Sequence, residues 1–211
     1  MNIKAIATAA ALLACATPSF AVPVTFTFEG INSFDSVGNY YNGGAGPNLH
    51  TSFAPDALAL ANDGTGDGPN GEFFLNAPGP GGTIVFPATG DIFMTAAPGW
   101  NFLGSLSFNY SAIQAFSVAV LDGSNSLLAT KTFSANNGSC GPPAFCNWSL
   151  GLLDFSGYGK TIRFGGYDAL NGSIAAFDNI TTTVPAPATA WLMAPALAML
   201  ARVRMRRKRL L

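Results

Sequence analysis

Apolar positions along the chain recur with period two or in short compact runs, and clusters of Gly, Asp, Asn and Ser separate them. The runs are Val24–Phe28, Thr83–Phe86, Phe102–Tyr110, Ala115–Leu121, Leu127–Phe133, Thr161–Phe164 and Ile174–Thr182. Asp122-Gly123-Ser124-Asn125 and Gly157-Tyr158-Gly159-Lys160 mark turns between them. Leu106, Phe108 and Tyr110 alternate with Ser105, Ser107 and Asn109, which predicts a strand with one face on a core and the other polar. Phe116–Val120 and Leu127–Lys131 flank a turn built from Asp, Gly, Ser and Asn, and predict a β-hairpin. Between Tyr41 and Gly82 the pattern loosens into Gly43-Gly44, Asp63–Gly68 and Pro78–Gly82, which predicts long loops carrying one or two short strands. The fold class that follows is all-β, an antiparallel β-sandwich over residues 22–183.

Composition sharpens this reading. The 24 glycines and 14 prolines leave little room for long helices, and the 17 phenylalanines are enough to fill the space between two sheets. By length, residues 22–183 make one domain.

The two ends differ from the body. Lys4 precedes an apolar stretch, Ala5–Ala16, and Pro18-Ser19-Phe20-Ala21 supplies small residues before a cut after Ala21, so residues 1–21 are expected to be a signal peptide. Leu12-Leu13-Ala14-Cys15 leaves a lipidated Cys15 as the alternative. At the other end, residues 184–211 begin with Val184-Pro185-Ala186-Pro187 and continue as an uncharged apolar helix, Ala188–Ala201. The basic cluster Arg202, Arg204, Arg206, Arg207, Lys208 and Arg209 closes them. Clustered cations stay on the cytoplasmic side of a bilayer, so the body is expected outside. The apolar run has 14 residues. At roughly 1.5 Å per residue it reaches about 21 Å against a hydrocarbon core of about 30 Å, and Pro195 interrupts it. Such a transmembrane segment suits a transient inner-membrane stage better than a permanent anchor, which is the alternative.

The order of proline break, Trp191-Leu192-Met193, short apolar helix and arginine cluster resembles the carboxy-terminal sorting signal of PEP-CTERM proteins, with Ala186 standing where that family has glutamate. The resemblance implies a membrane-embedded exosortase-type protease as partner, a cut near Pro185–Pro187, and delivery to the cell envelope, cell surface or extracellular matrix.

Without residues 1–21 and 184–211 the charge changes. Lys131, Lys160 and Arg163 face eleven acids, giving 3 minus 11, or −8. A body of that charge does not attract nucleic acid phosphates. Cys140 and Cys146 remain after cleavage and enclose a short loop. In an oxidising compartment they are expected to form a disulfide. Free thiols are one alternative and a metal site another, although no histidine lies near to complete a zinc shell.

The runs Phe26-Thr27-Phe28-Glu29-Gly30 and Ala176-Phe177-Asp178-Asn179-Ile180 also resemble the first and last strands of galactose-binding-like jelly rolls. That likeness implies adjacent terminal strands and a structural calcium ion held by Glu29 and Asp178, with Asp35, backbone carbonyls or water filling the shell. The competing reading is that Asp178 and Asn179 cap a turn while Glu29 is solvated. Asp63-x-Thr65-x-Asp67-Gly68 partly matches a calcium loop, but Phe74 stands where the closing glutamate should be, so a surface turn is the simpler reading.

His50 is the only histidine and no Gly-x-Ser-x-Gly elbow accompanies it, so no enzyme is expected, and no catalytic residues or catalytic cofactor. The leading expectation is a noncatalytic exported surface or matrix protein. The alternative is a carbohydrate-binding module gripping exopolysaccharide through loop aromatics among Tyr40, Tyr41, Trp100, Trp148, Tyr158 and Tyr167, with Trp100 and Trp148 as its ligand-binding residues.

Overall fold

Thirteen strands, and no helix, make up the described residues of the computed structural model, which are 21–61, 73–79, 81–138, 140 and 145–185. In chain order they are β1 (Ala21–Phe26), β2 (Thr51–Phe53), β3 (Ala57–Leu60), β4 (Ile84–Pro87), β5 (Ile92–Ala96), β6 (Phe102–Ala112), β7 (Phe116–Leu121), β8 (Leu127–Phe133), β9 (Ser149–Gly159), β10 (Thr161–Phe164), β11 (Tyr167–Asp168), β12 (Gly172–Ser173) and β13 (Ala175–Pro185). One sheet runs β3-β4-β13-β6-β9 with β1 added against β13; the second runs β2-β5-β10-β7-β8; β11 and β12 form a small ribbon. The first and last strands are therefore neighbours, and Thr25 Oγ1 lies 2.8 Å from Thr181 Oγ1 across the pair.

Alternation sets the main core. Phe26 and Phe177 from the first sheet meet Met94, Val120, Ile162 and Phe164 from the second, and all are buried. On β6, Leu106, Phe108 and Tyr110 point into this core while Ser105, Ser107 and Asn109 do not, as the sequence pattern predicts. Phe108 sits at its centre, with ring centroids of Phe133, Phe164 and Phe177 at 5.1, 5.3 and 6.0 Å. Apart from Phe34, Phe73 and Phe93, every described phenylalanine is buried.

A second core lies on the opposite face of the first sheet. Ala59 and Val85 face the main core, so their strand neighbours Leu60, Ile84 and Phe86 face outward by the period of two, and there they pack with Phe74, Phe145 and Ala176. The segments 73–79 and 145–148 cover this face.

The β7–β8 hairpin forms where predicted, with Asp122 Oδ1 accepting the N–H groups of Ser124 and Ser126 at 2.8 Å each and Asn125 at φ 61°. β2 and β3 fall inside the loose Tyr41–Gly82 region. Four strands, β5, β9 and the two-residue β11 and β12, escape the sequence reading. β5 is short, and β9 places Leu150 and Leu152 outward while Gly151, Leu153 and Phe155 are buried, so its apolar residues do not alternate with polar ones. The expected turn Gly157–Lys160 is instead mostly the end of β9, and Lys160 leads directly into β10 of the other sheet.

The compact unit runs from Pro23 to Val184. Ala21 opens β1 and is exposed, whereas Val184 is only 6% exposed within the main core and β13 continues to Pro185. The strand thus keeps the first two residues of the expected sorting motif. The remainder of that motif (Ala186 and Pro187), the apolar segment 188–201, the basic cluster 202–209, residues 1–20 and the Asp63–Gly68 turn lie outside the described residues. Among the described residues no helix is long and apolar enough to cross a membrane.

Candidate functional site

Glu29 follows β1 and Asp178 lies on β13, and pairing of these strands brings the two carboxylates together. Phe28, immediately before Glu29, has φ 62°, and Asn179, immediately after Asp178, has φ 48°. Both are left-handed conformations that non-glycine residues seldom adopt. At Asn179 the β13–β6 register slips, and the same bend directs Asp178 Oδ1 onto its own neighbour, the Asn179 N–H, at 2.6 Å.

The glycine-rich segment before β4 closes over the pair. Gly79 N–H donates to Asp178 Oδ2 at 2.8 Å. Gly81 N–H and Thr83 N–H donate to Glu29 Oε1 at 3.1 and 3.2 Å, and the Thr83 hydroxyl donates to Oε2 at 3.0 Å. Close approach explains the glycines. A Cβ on Gly81 would stand 2.1 Å from Glu29 Oε2, and one on Gly79 would stand 2.8 Å from Asp178 Oδ2 and 3.3 Å from Glu29 Oε1. Sequence reading named the two acids but missed Gly79, Gly81 and Thr83; the signal for them was the Pro78–Gly82 run ending directly at a strand.

Asp178 is completely buried, and removal from water raises its pKa from the ordinary 3.8 to about 6 against the opposing N–H bonds of Asn179 and Gly79, with the negative charge of Glu29 adding to the rise. Charge at this place is therefore costly, and a hard cation would relieve it. The donor set fits one in part. Among the described residues, Glu29 Oε2 and both oxygens of Asp178 each accept a single hydrogen bond and keep a lone pair, while Glu29 Oε1 accepts two. Asp35 accepts from Asn32 Nδ2 at 2.9 Å instead, and among the described residues no three His, Cys, Asp or Glu side chains converge.

Cys140 and Cys146 are joined by a disulfide with Cα atoms 5.8 Å apart. Close by in sequence, Trp148 packs on the second core and its indole N–H donates to Leu75 O at 2.8 Å, fastening the 73–79 segment. Trp100 stacks face to face with His50, ring centroids 3.8 Å apart and planes 10° from parallel, while the Lys160 ammonium donates to Ala97 O and Trp100 O. Each tryptophan named from sequence as a sugar platform is thus partly covered and engaged with the protein. His50, the sole histidine, holds φ 54° and one face of Trp100.

No family model matches the chain, and no curated protein matches it. Several solved structures align with the chain at low identity. A family 29 carbohydrate binding module aligns at TM-score 0.42 and 14% identity over 78% of this chain and 89% of that one. A mutant of the CBM29-2 module complexed with mannohexaose aligns at TM-score 0.42 and 14% identity over 78% and 92%. The K2 cleaved adhesin domain of Lys-gingipain aligns at 0.49 and 14% over 76% and 99%.

Proposed function

We propose that this chain is a noncatalytic exported protein of the envelope, cell surface or extracellular matrix, delivered through its PEP-CTERM-like tail. The observation that carries this reading is the Cys140–Cys146 disulfide, a bond that persists in oxidising compartments outside the cytoplasm, in a chain whose two ends carry apolar address segments. Translocation by residues 1–21 comes first. Arrest by residues 188–201 follows, with the cations of 202–209 inside, and an exosortase-type protease then cuts near Pro185–Pro187. Because Val184 belongs to the core, a cut made on the folded domain falls beyond it.

A calcium ion held by Glu29 and Asp178 would fix β1 to β13 and to the 79–83 segment, with Thr83 Oγ1 close by and backbone carbonyls supplying further oxygens. Its role would be structural, joining β1, β13 and the segment before β4.

Fractionation of tagged protein in its host, with and without the processing protease, tests the export reading. Recovery outside the inner membrane only when the protease is present supports it; uncut protein retained in the cytoplasm rules it out.

A further inference from the structure

The outer face of the second sheet carries a cation that the fold does not use. Of the three cations between residues 22 and 183, Lys131 donates to Leu152 O and Lys160 to two carbonyls at the β5–β6 turn. Arg163 sits on β10, the middle strand, with its side chain 45% exposed, and its charged group meets only Asp91, Nε to Oδ2 at 3.7 Å, beyond hydrogen-bond reach. Its five N–H donors remain available.

Register places this arginine in a row that crosses four strands: Phe93 on β5, Arg163 on β10, Ala119 on β7 and Thr130 on β8. At about 4.8 Å per strand the row spans about 14 Å. Phe93 is 39% exposed in a domain that buries nearly all its other described phenylalanines, and it is the cross-strand neighbour of Arg163. Ala119, buried at 2% between its larger neighbours, adds no bulk above the sheet, and Gly165, next to Asp91, adds none either. Ser117 and Thr132, whose hydroxyls lie 3.1 Å apart, border the strip.

We infer that this strip is a binding site for a neutral polysaccharide chain lying across the strands. Phe93 packs on the C–H face of a sugar ring, Arg163 donates to ring hydroxyls, Asp91 accepts from them, and Thr130, whose hydroxyl donates to Val118 O at 3.2 Å, accepts from a further one. Charge argues for a neutral ligand. Arg163 and Asp91 cancel, and the −8 of the surrounding body repels polyanions, whereas a hydroxyl both donates and accepts and so matches a paired donor and acceptor. The inference rests on the export reading to bring the domain to polysaccharide, but the site itself is tested apart from it.

Full-length chain, purified in mild detergent with its disulfide intact, is run in native gels containing hydroxyethylcellulose, galactomannan, xylan or the polyanion alginate. At least one neutral polymer retards it and alginate does not. Phe93→Ala and Arg163→Ala each weaken retardation by about tenfold or more, the loss expected for a charged hydrogen bond or a stacked ring. Arg163→Lys, which keeps the charge and loses the fork, weakens it too, while Leu170→Ser on the exposed β11–β12 turn leaves it unchanged. If Arg163→Ala misfolds, Thr130→Trp, at an exposed position of the same row, blocks the strip while keeping the arginine. Retardation by no neutral polymer, retardation by alginate alone, or unchanged retardation in folded Phe93→Ala and Arg163→Ala overturns the inference. So does a dimer that covers the strip and resists sugar. None of these results bears on where the host sends the protein.

Discussion

Burial of Asp178 beside Glu29 gives the most demanding test of the carboxylate pair. With calcium removed by chelator, the Asp178 pKa stands at about 6 in the folded protein against the ordinary 3.8, and that difference is worth roughly 3 kcal/mol. The folded state binds the proton more tightly than the unfolded chain. The stabilisation is therefore complete below about 3.8, falls away as pH rises, and is gone above about 6. Urea unfolding in chelator from pH 7.5 down to 4 reads it. The stability difference between wild type and Asp178→Asn should shift in favour of wild type by up to about 3 kcal/mol over that range, because the variant cannot take up the proton. Subtracting the variant removes other carboxylates, including Asp168, which the N–H groups of Leu170 and Asn171 hold below its ordinary value and whose effect has the opposite sign. Adding calcium at pH 7.5 should stabilise wild type by about 2.7 kcal/mol at one hundred times the dissociation constant, and should not stabilise the variant. A pH-independent difference between the two proteins, with no response to calcium, would refute both the buried charge and the cation.

Other perturbations address the frame around the pair. Gly151→Ala would bring a Cβ to 2.5 Å from Phe108 Cζ, and should lower unfolding free energy by about 1–3 kcal/mol through overpacking; pairing it with Phe108→Leu should recover part of the loss in the same denaturation assay. Replacing both Cys140 and Cys146 by serine opens a loop with sequence separation 6, and should cost about 2 kcal/mol, matched by reducing the wild type. Trp148→Phe removes the indole donor from Leu75 O, an exposed acceptor that water can reach, so about 0.5–1.5 kcal/mol should be lost, and limited proteolysis should cut first near residues 73–79.

Much of the sandwich was legible because one buried face leaves a period-two record. β8 and β10 match their apolar runs residue for residue, and the β7–β8 turn shows its chemistry openly in Asp122 and Asn125. β9 was hidden because Leu150 and Leu152 are apolar on its outer face and its last turn of sequence, Gly157-Tyr158-Gly159, imitates a loop. Glu29 and Asp178 could be paired only through a resemblance, since nothing local links positions so far apart. Once β1 and β13 pair, the glycines at 79 and 81 acquire a reason that composition could not give: they let amides reach carboxylates. The Phe93–Arg163 strip was invisible in sequence, because it consists of single residues on four strands whose order must be known first.

Intact mass of the protein recovered from the envelope or medium of its native host tests the central claim most directly. The account predicts a chain that begins at Val22, ends at or beyond Pro185 but before the basic cluster, and weighs two hydrogens less than its reduced form. An undivided 211-residue chain with free thiols, dissolved in the cytoplasm, would contradict it.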